Sequence, residues 1–154
     1  MASPARAQPA AEPAHDFVED YLLYLLARAS MEASAQFHGI VKRKGLSVLE
    51  WRVLGQLAGG PATVGLLAER ALSQQPTLTK VLDRMAADGL VVRLGDAADR
   101  RRVLLRLTEK GRRLAGELVP LARAHEARVL AGYSAREAAA LKRALKTLIA
   151  RTGG

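Results

Sequence analysis

The sequence predicts a mainly α fold with one small β-hairpin, on the basis of three patterns. First, apolar residues recur at helical spacing, most regularly at Leu78, Val81, Leu82 and Met85. Second, two short apolar runs flank a turn-rich loop at residues 95–102. Third, Ser, Thr or Asp precedes most helical runs, where a side-chain oxygen can accept a free backbone N–H. The hairpin must pack on the helices, because two strands alone are only marginally stable.

Capping residues mark where each predicted helix begins. Asp16 and Glu19 have capping-box spacing, so a long helix should run from Phe17 to about Phe37. The other predicted N-caps are Ser47, Thr63, Ser73, Thr108 and Ser134, the last with Glu137 three residues later. Gly89 should end the helix after Ser73, and Pro120 should kink the helix after Thr108. The strands are predicted at residues 90–94 and 103–107.

Charge is high and unevenly distributed along the chain. The 154 residues include 24 Lys and Arg and 15 Asp and Glu, a net charge of +9. Residues 39–113 carry fifteen basic and seven acidic side chains, whereas residues 1–38 carry two basic and five acidic ones. This imbalance favours a polyanionic partner that binds the middle of the chain, nucleic acid first and an anionic membrane surface second.

Several classes of chemistry find no support in the sequence. The chain has no cysteine, which excludes disulfides, thiolate nucleophiles and Cys-ligated zinc and fits the cytoplasm. His15, His38 and His125 lack metal-pair spacing, and there is no glycine-rich phosphate loop or nucleophile motif. We therefore expect no enzyme activity, no metal site and no cofactor, a zinc sensor built from His and Glu alone being the remaining alternative. The Ala- and Pro-rich residues 1–15 predict a disordered arm, and no segment is apolar enough to span a membrane.

The order of the central elements is that of a winged helix-turn-helix. Two short helices are joined by a tight turn, and the second presents a polar face with Pro76, Lys80, Asp83 and Ala87 opposite its apolar stripe. The major groove of DNA admits such a helix, and the narrow, electronegative minor groove suits an arginine-bearing loop. Double-stranded DNA is therefore the predicted partner. Asp83 is expected in a salt bridge, because phosphate repels a carboxylate.

Two stretches carry a family resemblance. "LSQQPTLTKVLDRMAADGLVVR" and "DAADRRRVLLRLTEKG" resemble the recognition helix and the wing of the MarR family of bacterial transcription regulators. The family's D-x-R-x(5)-L-T wing signature is matched by Asp99, Arg101, Leu107 and Thr108. The similarity extends over roughly residues 16–152. It implies a homodimer that binds a pseudo-palindromic operator and usually represses nearby genes.

The resemblance also implies a division of the chain into regions. Residues 1–15 are the arm, residues 16–45 and 109–152 form a helical dimerisation lobe, and residues 46–108 form the winged helix-turn-helix. Ten residues match positions of the family's DNA contacts: Ser73, Gln75, Pro76, Thr77, Thr79, Lys80, Arg84, Asp99, Arg100 and Arg101. Either Arg100 or Arg101 would enter the minor groove, with Asp99 orienting it. Lys80 and Arg84 have the alternative of serving solubility alone.

An effector is the last implication of the resemblance. Family members respond to small aromatic acids held between the dimerisation helices and the DNA-binding lobe. The candidate contacts are His15, Tyr21, Tyr24, His38, Trp51 and Arg52, with ordinary core packing as the alternative for the aromatic ones. "DFVEDYLLYLL" and "FHGIVKRKGLSVLEWRVL" are similar to regulators of nicotinate catabolism, which points to a hydroxylated pyridine carboxylate.

Two other classes of protein also fit the composition. A non-specific, nucleic-acid-coating or architectural protein would bind with strong salt dependence and little sequence dependence. A basic protein-interaction module with a degenerate wing would not depend on the wing arginines for any DNA affinity.

Overall fold

A computed structural model describes residues 14–95 and 103–153 of the chain. The segment up to Gln36 and the segment from Phe37 onward form two compact units. The predicted arm lies almost wholly outside the described residues. The predicted wing contacts Asp99, Arg100 and Arg101 lie outside them as well.

The described residues form a mainly helical fold with a small antiparallel sheet, as the sequence predicted. In chain order the elements are α1 (Ala14–Asp20), α2 (Leu22–Arg43), α3 (Val48–Leu57), β1 (Ala62–Thr63), α4 (Val64–Arg70), α5 (Gln75–Ala87), β2 (Val91–Gly95), β3 (Val103–Leu107), α6 (Glu109–Val129) and α7 (Ala135–Thr152). The strand order is β1-β3-β2. The two-residue strand β1 was not predicted, since its only sheet signal is its pairing with β3 far along the chain.

The first predicted helix is in fact two helices. The helix α1 begins at Ala14, so Asp16 lies inside it and does not cap it. The break comes at Tyr21, whose N–H donates to the Val18 carbonyl three residues back at 3.3 Å. Such a tightened turn interrupts the regular bonding to the fourth preceding residue. No glycine or proline marks the break, and the prediction of one uninterrupted helix was therefore wrong.

The helix α2 also runs six residues beyond the predicted end. Phe37 and Val41 are both buried, so the apolar stripe continues one turn beyond the predicted end of the helix. The helix ends at Arg43, and Gly45 follows with a φ of 74°. Glycine takes this left-handed conformation without steric cost, which explains the stop there.

Four of the six predicted N-caps are confirmed, and Ser73 is wrong, as is Asp16. Side-chain oxygens of Ser47, Thr63, Thr108 and Ser134 accept the N–H three residues later. Ser73 instead completes the end of α4, because its N–H donates to the Ala68 carbonyl at 2.9 Å. The N-cap of α5 is Gln74, which makes no side-chain capping bond. At the other end, Gly89 has a φ of 70° and ends α5 as predicted.

The hydrophobic core lies in the second unit. Leu78, Leu82 and Met85 of α5 are fully buried, and Val81 is half-buried. They pack with buried side chains of other elements, which include the fully buried Leu54, Leu67, Leu105 and Leu118. The predicted apolar stripe of α5 is therefore confirmed, and its burial orients the opposite, polar face towards solvent.

The junction of β2 with α6 depends on a glycine and a threonine. A Cβ at Gly111 would overlap the Leu90 carbonyl oxygen, which is backbone and cannot swing away. The Thr108 hydroxyl donates to the Gly89 carbonyl at 2.6 Å and accepts the Gly111 N–H at 3.1 Å. Gly111 is therefore needed for close packing. The low helix propensity of glycine at this position is a side effect.

Pro120 lies inside α6 without ending it. The helix runs from Glu109 to Val129, and Pro120 is on an exposed part of its surface. The Gly116 carbonyl, which would accept an N–H from position 120, is on an exposed residue where water can bind it.

Candidate DNA interface

The helix-turn-helix is built from α4, a tight turn and α5. Thr63 caps α4 by accepting the Leu66 N–H at 3.3 Å. At the turn, Leu72 has a φ of 56° and donates its N–H to the Glu69 carbonyl at 3.1 Å. A left-handed residue after the C-cap reverses the chain within a few residues, and α5 then begins at Gln75 with Pro76 in its first turn.

The polar face of α5 gathers most of the predicted DNA contacts. Ser73 is half-buried in the turn, and the other six predicted contacts of this region are exposed: Gln75, Pro76, Thr77, Thr79, Lys80 and Arg84. The Thr79 hydroxyl donates to the Gln75 carbonyl at 2.9 Å. No ion pair involves Lys80 within residues 14–95 and 103–153, so its ammonium group is available to an anionic partner.

Two ion pairs tie α5 to its neighbours. Asp83 pairs with Arg93 of β2 at 2.7 Å, which confirms the expected salt bridge. Arg84 pairs with Glu50 of α3, its Nη2 and Nε lying 3.0 and 3.1 Å from one carboxylate oxygen. Sequence analysis did not single out Glu50. Its spacing to Ser47 is that of a capping box, but no local pattern indicates a partner 34 residues away.

The wing is an antiparallel hairpin whose strands pair from Val91 with Leu107 to Gly95 with Val103. Arg93 and Arg106 are exposed on its two strands. The hairpin register places Gly95 and Val103 at the end remote from α6. The predicted strands are confirmed, within one residue at their ends.

Of the predicted effector contacts, Trp51 and Arg52 have the best-defined surroundings. The Trp51 ring lies 5.1 Å from the Phe37 ring, edge to face, and Phe37 stacks on His125 at 5.7 Å. Arg52 donates from Nη1 to the Ala71 carbonyl at 3.0 Å. His38 is half-buried on α2.

The other predicted effector contacts lie in the first unit. Tyr21 stacks on Phe17 with ring centroids 5.5 Å apart. The Tyr24 hydroxyl accepts a 3.5 Å hydrogen bond from Arg28. For His15 the structure describes the helical backbone of α1 and not the side chain. None of these contacts identifies a ligand.

A groove that sequence analysis missed lies between the C-terminal end of α3 and α6. Its volume is about 390 Å³, and its lining includes Ala58, Leu107, Arg112, Ala115, Val119 and Arg123. No carboxylate lines it, although Arg112 pairs with Glu109 at 2.6 Å. A mostly apolar lining that includes two arginines suits a small organic acid.

The described ranges contain neither a metal cluster nor a membrane-spanning helix. There, no cluster of three or more His, Asp or Glu residues is arranged to hold a metal ion. No helix of those ranges combines the length and hydropathy needed to cross a membrane.

Known proteins are similar to this chain in both sequence and fold. A MarR family model matches residues 44–102. The solved structure of a MarR family transcriptional regulator from Silicibacter pomeroyi DSS-3 is 47% identical, with a TM-score of 0.77, over 86% of this chain and 96% of that one. This chain belongs to the MarR family.

Two further relatives of this MarR family chain have informative names. The homoprotocatechuate degradative operon repressor of Escherichia coli is 39% identical over 98 residues, which are 63% of this chain and 66% of that repressor, slightly less than two thirds. Bordetella bronchiseptica BpsR, whose DNA binding is regulated by 6-hydroxynicotinic acid, is 28% identical with a TM-score of 0.75, over 89% of this chain and 97% of that one. The MarR family consists of regulators and not of enzymes, as the sequence predicted.

Proposed function

We propose that this chain is a transcriptional repressor that binds double-stranded DNA with the exposed face of α5 in the major groove. The strongest support is the single polar face formed by the residues from Gln75 to Arg84, opposite the buried Leu78, Leu82 and Met85. Wing contacts from Asp99 and from Arg100 or Arg101 belong to this proposal through the family signature. The function would place the protein in the cytoplasm.

A homodimer completes the proposal, because a pseudo-palindromic operator presents two equal half-sites. The helix α7 is amphipathic and yet has no buried residue. Its Leu141 and Ile149 are exposed, as are Val129 and Tyr133 just before it. Large apolar side chains at helical spacing are covered in stable proteins, and a second copy of α7 supplies that cover.

DNA selection from a random duplex pool tests the function directly. Anisotropy of the selected duplex and of a scrambled duplex is measured at 50 and 200 mM salt. We expect the selected duplex to bind about a thousandfold tighter or more, and both affinities to fall with salt. Equal affinities for both duplexes would favour the non-specific coating protein instead. Lys80→Ala should weaken binding to both duplexes about equally, since a phosphate contact carries no sequence information.

We further propose a small aromatic acid as the effector, with a hydroxylated nicotinate as the first choice. The nicotinate-related resemblance and the response of BpsR support this choice. The acid has two candidate locations, the neighbourhood of Trp51 and Arg52 or the groove with Arg112 and Arg123. Such a ligand changes DNA affinity only if it binds the DNA-competent and incompetent states unequally.

Titration of the protein–DNA complex with 6-hydroxynicotinate and with salicylate tests the effector. The fluorescence of Trp51, the single tryptophan, reports binding independently of DNA release. We expect 6-hydroxynicotinate to release the duplex. Loss of that response in Arg123→Gln alone would place the acid in the groove, and loss in Arg52→Gln alone would place it beside Trp51. Release by neither acid would contradict the choice of effector.

A further inference from the structure

Glu50 is a buried carboxylate with a hydrogen-bond partner on each oxygen. It is 5% exposed, on the first turn of α3. Its Oε2 accepts the Ser47 backbone N–H at 2.6 Å, and its Oε1 accepts the Nε–H of Arg84 at 3.1 Å, with Nη2 of the same guanidinium 3.0 Å away. The capping box of α3 and the ion pair to α5 therefore share one side chain, and the position of Arg84 is tied to the start of α3.

The charge state of Glu50 follows from these contacts. Burial alone would raise its pKa, but the hydrogen bonds from Ser47 and the guanidinium of Arg84 outweigh burial and lower the pKa below its ordinary value. Glu50 is therefore ionised at neutral pH. The Glu50 carboxylate leaves water on folding while the Arg84 side chain stays 57% exposed, so the cost of burial offsets much of the attraction and the pair adds little net stability. Its main consequence is the geometry that it specifies.

A second side chain of α3, Arg52, binds the turn between α4 and α5. Arg52 donates to the carbonyl of Ala71, the C-cap residue of α4, immediately before the left-handed Leu72. Glu50 and Arg52 thus connect α3 to α5 near its C-terminal end and to the turn before its N-terminal end. With both connections made, rotation of α5 on α3 would break at least one of them.

We propose that Glu50 is a positioning residue for DNA recognition, acting through Arg84 to set the angle of α5, and that Arg84 is a structural link instead of a phosphate contact. This inference rests on the proposed DNA-binding function. Arg84 is the one predicted contact of α5 whose charge is already matched by a buried carboxylate. If Arg84 turned away from Glu50 to bind a phosphate, the buried Glu50 carboxylate would lose the cation that pairs with it, which is strongly unfavourable.

The test compares Glu50→Gln with Glu117→Gln, using the selected and scrambled duplexes. Both variants remove one negative charge, but Glu117 lies on α6 and belongs to an exposed pair with Lys44. We expect Glu50→Gln to weaken binding to the selected duplex about tenfold, in the range of couplings carried through a packed element, and to leave the scrambled duplex unaffected. Glu117→Gln should leave the ratio of the two affinities unchanged.

The salt dependence of affinity separates the two roles of Arg84. Affinity falls as salt rises, and loss of one phosphate contact reduces the magnitude of the slope of log affinity against log salt by about 1, as expected for Lys80→Ala. The double variant Glu50→Gln with Arg84→Met should keep the wild-type slope. It removes both partners, so no buried charge is left unpaired, and its thermal unfolding should resemble that of the wild type even if a single variant is less stable.

Three results would overturn the inference, and they are distinguishable. A slope lowered by about 1 in the double variant would make Arg84 a phosphate contact. An unchanged affinity ratio in both Glu50→Gln and the double variant would remove the positioning role while leaving the proposed function intact. A wild-type protein that does not discriminate between the duplexes would reject the function and the positioning role together.

Discussion

Single residues in this chain are often constrained by a neighbour that is distant in sequence. Gly111 faces the Leu90 carbonyl, and Arg52 donates to the Ala71 carbonyl. Leu72, at 79% exposure, adopts a left-handed backbone that glycine would adopt without strain. The glycine at position 111 could be noticed from the sequence, but its purpose could not, because the oxygen that it avoids belongs to another element.

Substitution of Gly111 by Ala should destabilise the protein by about 1–3 kcal/mol, the usual range for overpacking. The new Cβ would overlap a backbone oxygen and force β2 away from α6. Gly116 of the same helix is the control, since a Cβ there meets nothing within 4 Å. Gly116→Ala should stabilise the protein by about 0.5–1 kcal/mol through helix propensity. Urea unfolding measures both, and equal effects would refute the packing explanation.

At the scale of elements, helix starts were easier to predict than helix ends. Ser47, Thr63, Thr108 and Ser134 satisfy backbone N–H groups within their own turn, so local sequence suffices to identify them. Ser73 is also a serine, but it ends α4 instead of capping α5. The left-handed backbone at Leu72 turns the chain so that the Ser73 N–H donates to the Ala68 carbonyl. Residue type alone cannot distinguish the two roles.

The two capping roles predict different mutational costs. Thr63→Ala should lower the unfolding free energy by about 1 kcal/mol, because the Leu66 N–H loses its acceptor. Ser73→Ala should change it by about 0.5 kcal/mol or less, since that hydroxyl caps no helix. Chemical denaturation of both variants gives the comparison. A larger loss for Ser73 would mean that it caps α5 after all.

Stability should fall in acid partly through Glu50. Its pKa is lower in the folded protein than its ordinary value of 4.5, because the bonds from Ser47 and Arg84 outweigh burial. A carboxyl whose pKa is lowered by folding stabilises the protein above its unfolded pKa and loses that contribution as pH falls through the folded pKa. Unfolding free energies between pH 6 and 3 should therefore fall less steeply in Glu50→Gln than in the wild type. Parallel curves for both proteins would contradict this role.

At the scale of the whole molecule, the second unit has a core of fully buried side chains and a terminal helix, α7, with no buried residue. Leu54, Leu82 and Leu118 are fully buried, whereas Ile149 of α7 is 67% exposed. An amphipathic helix gains most of its stability by burying its apolar face against another element. The exposed apolar side of α7 therefore favours assembly with a second copy.

Replacing Leu141 and Ile149 together by Lys should abolish the proposed dimer. Two charges would have to be buried in an apolar contact, which is strongly unfavourable. Sedimentation equilibrium should then give the mass of one chain. The control is Leu72→Lys, which changes a more exposed leucine outside α7 and should leave the dimer mass unchanged. A dimer that survives the double substitution would place the interface elsewhere.

The sequence by itself determined the features that repeat within a few residues. These are the helix classes and most of their caps, the hairpin strands, and the polar face of α5 opposite Leu78 and Leu82. Helical spacing and capping are local properties of the chain, so local patterns suffice to predict them. The wing signature from Asp99 to Thr108 could likewise be recognised from the order of residues alone.

Only the tertiary structure decided the contacts that join distant segments. The pair of Glu50 with Arg84, the packing of Gly111 on Leu90 and the strand β1 each bring together residues separated by some twenty positions or more. Such contacts arise when the core closes, and no local periodicity encodes which partner each residue meets. The position of α5 is therefore set by tertiary contacts, whereas the side chains on its exposed face can be predicted from the sequence.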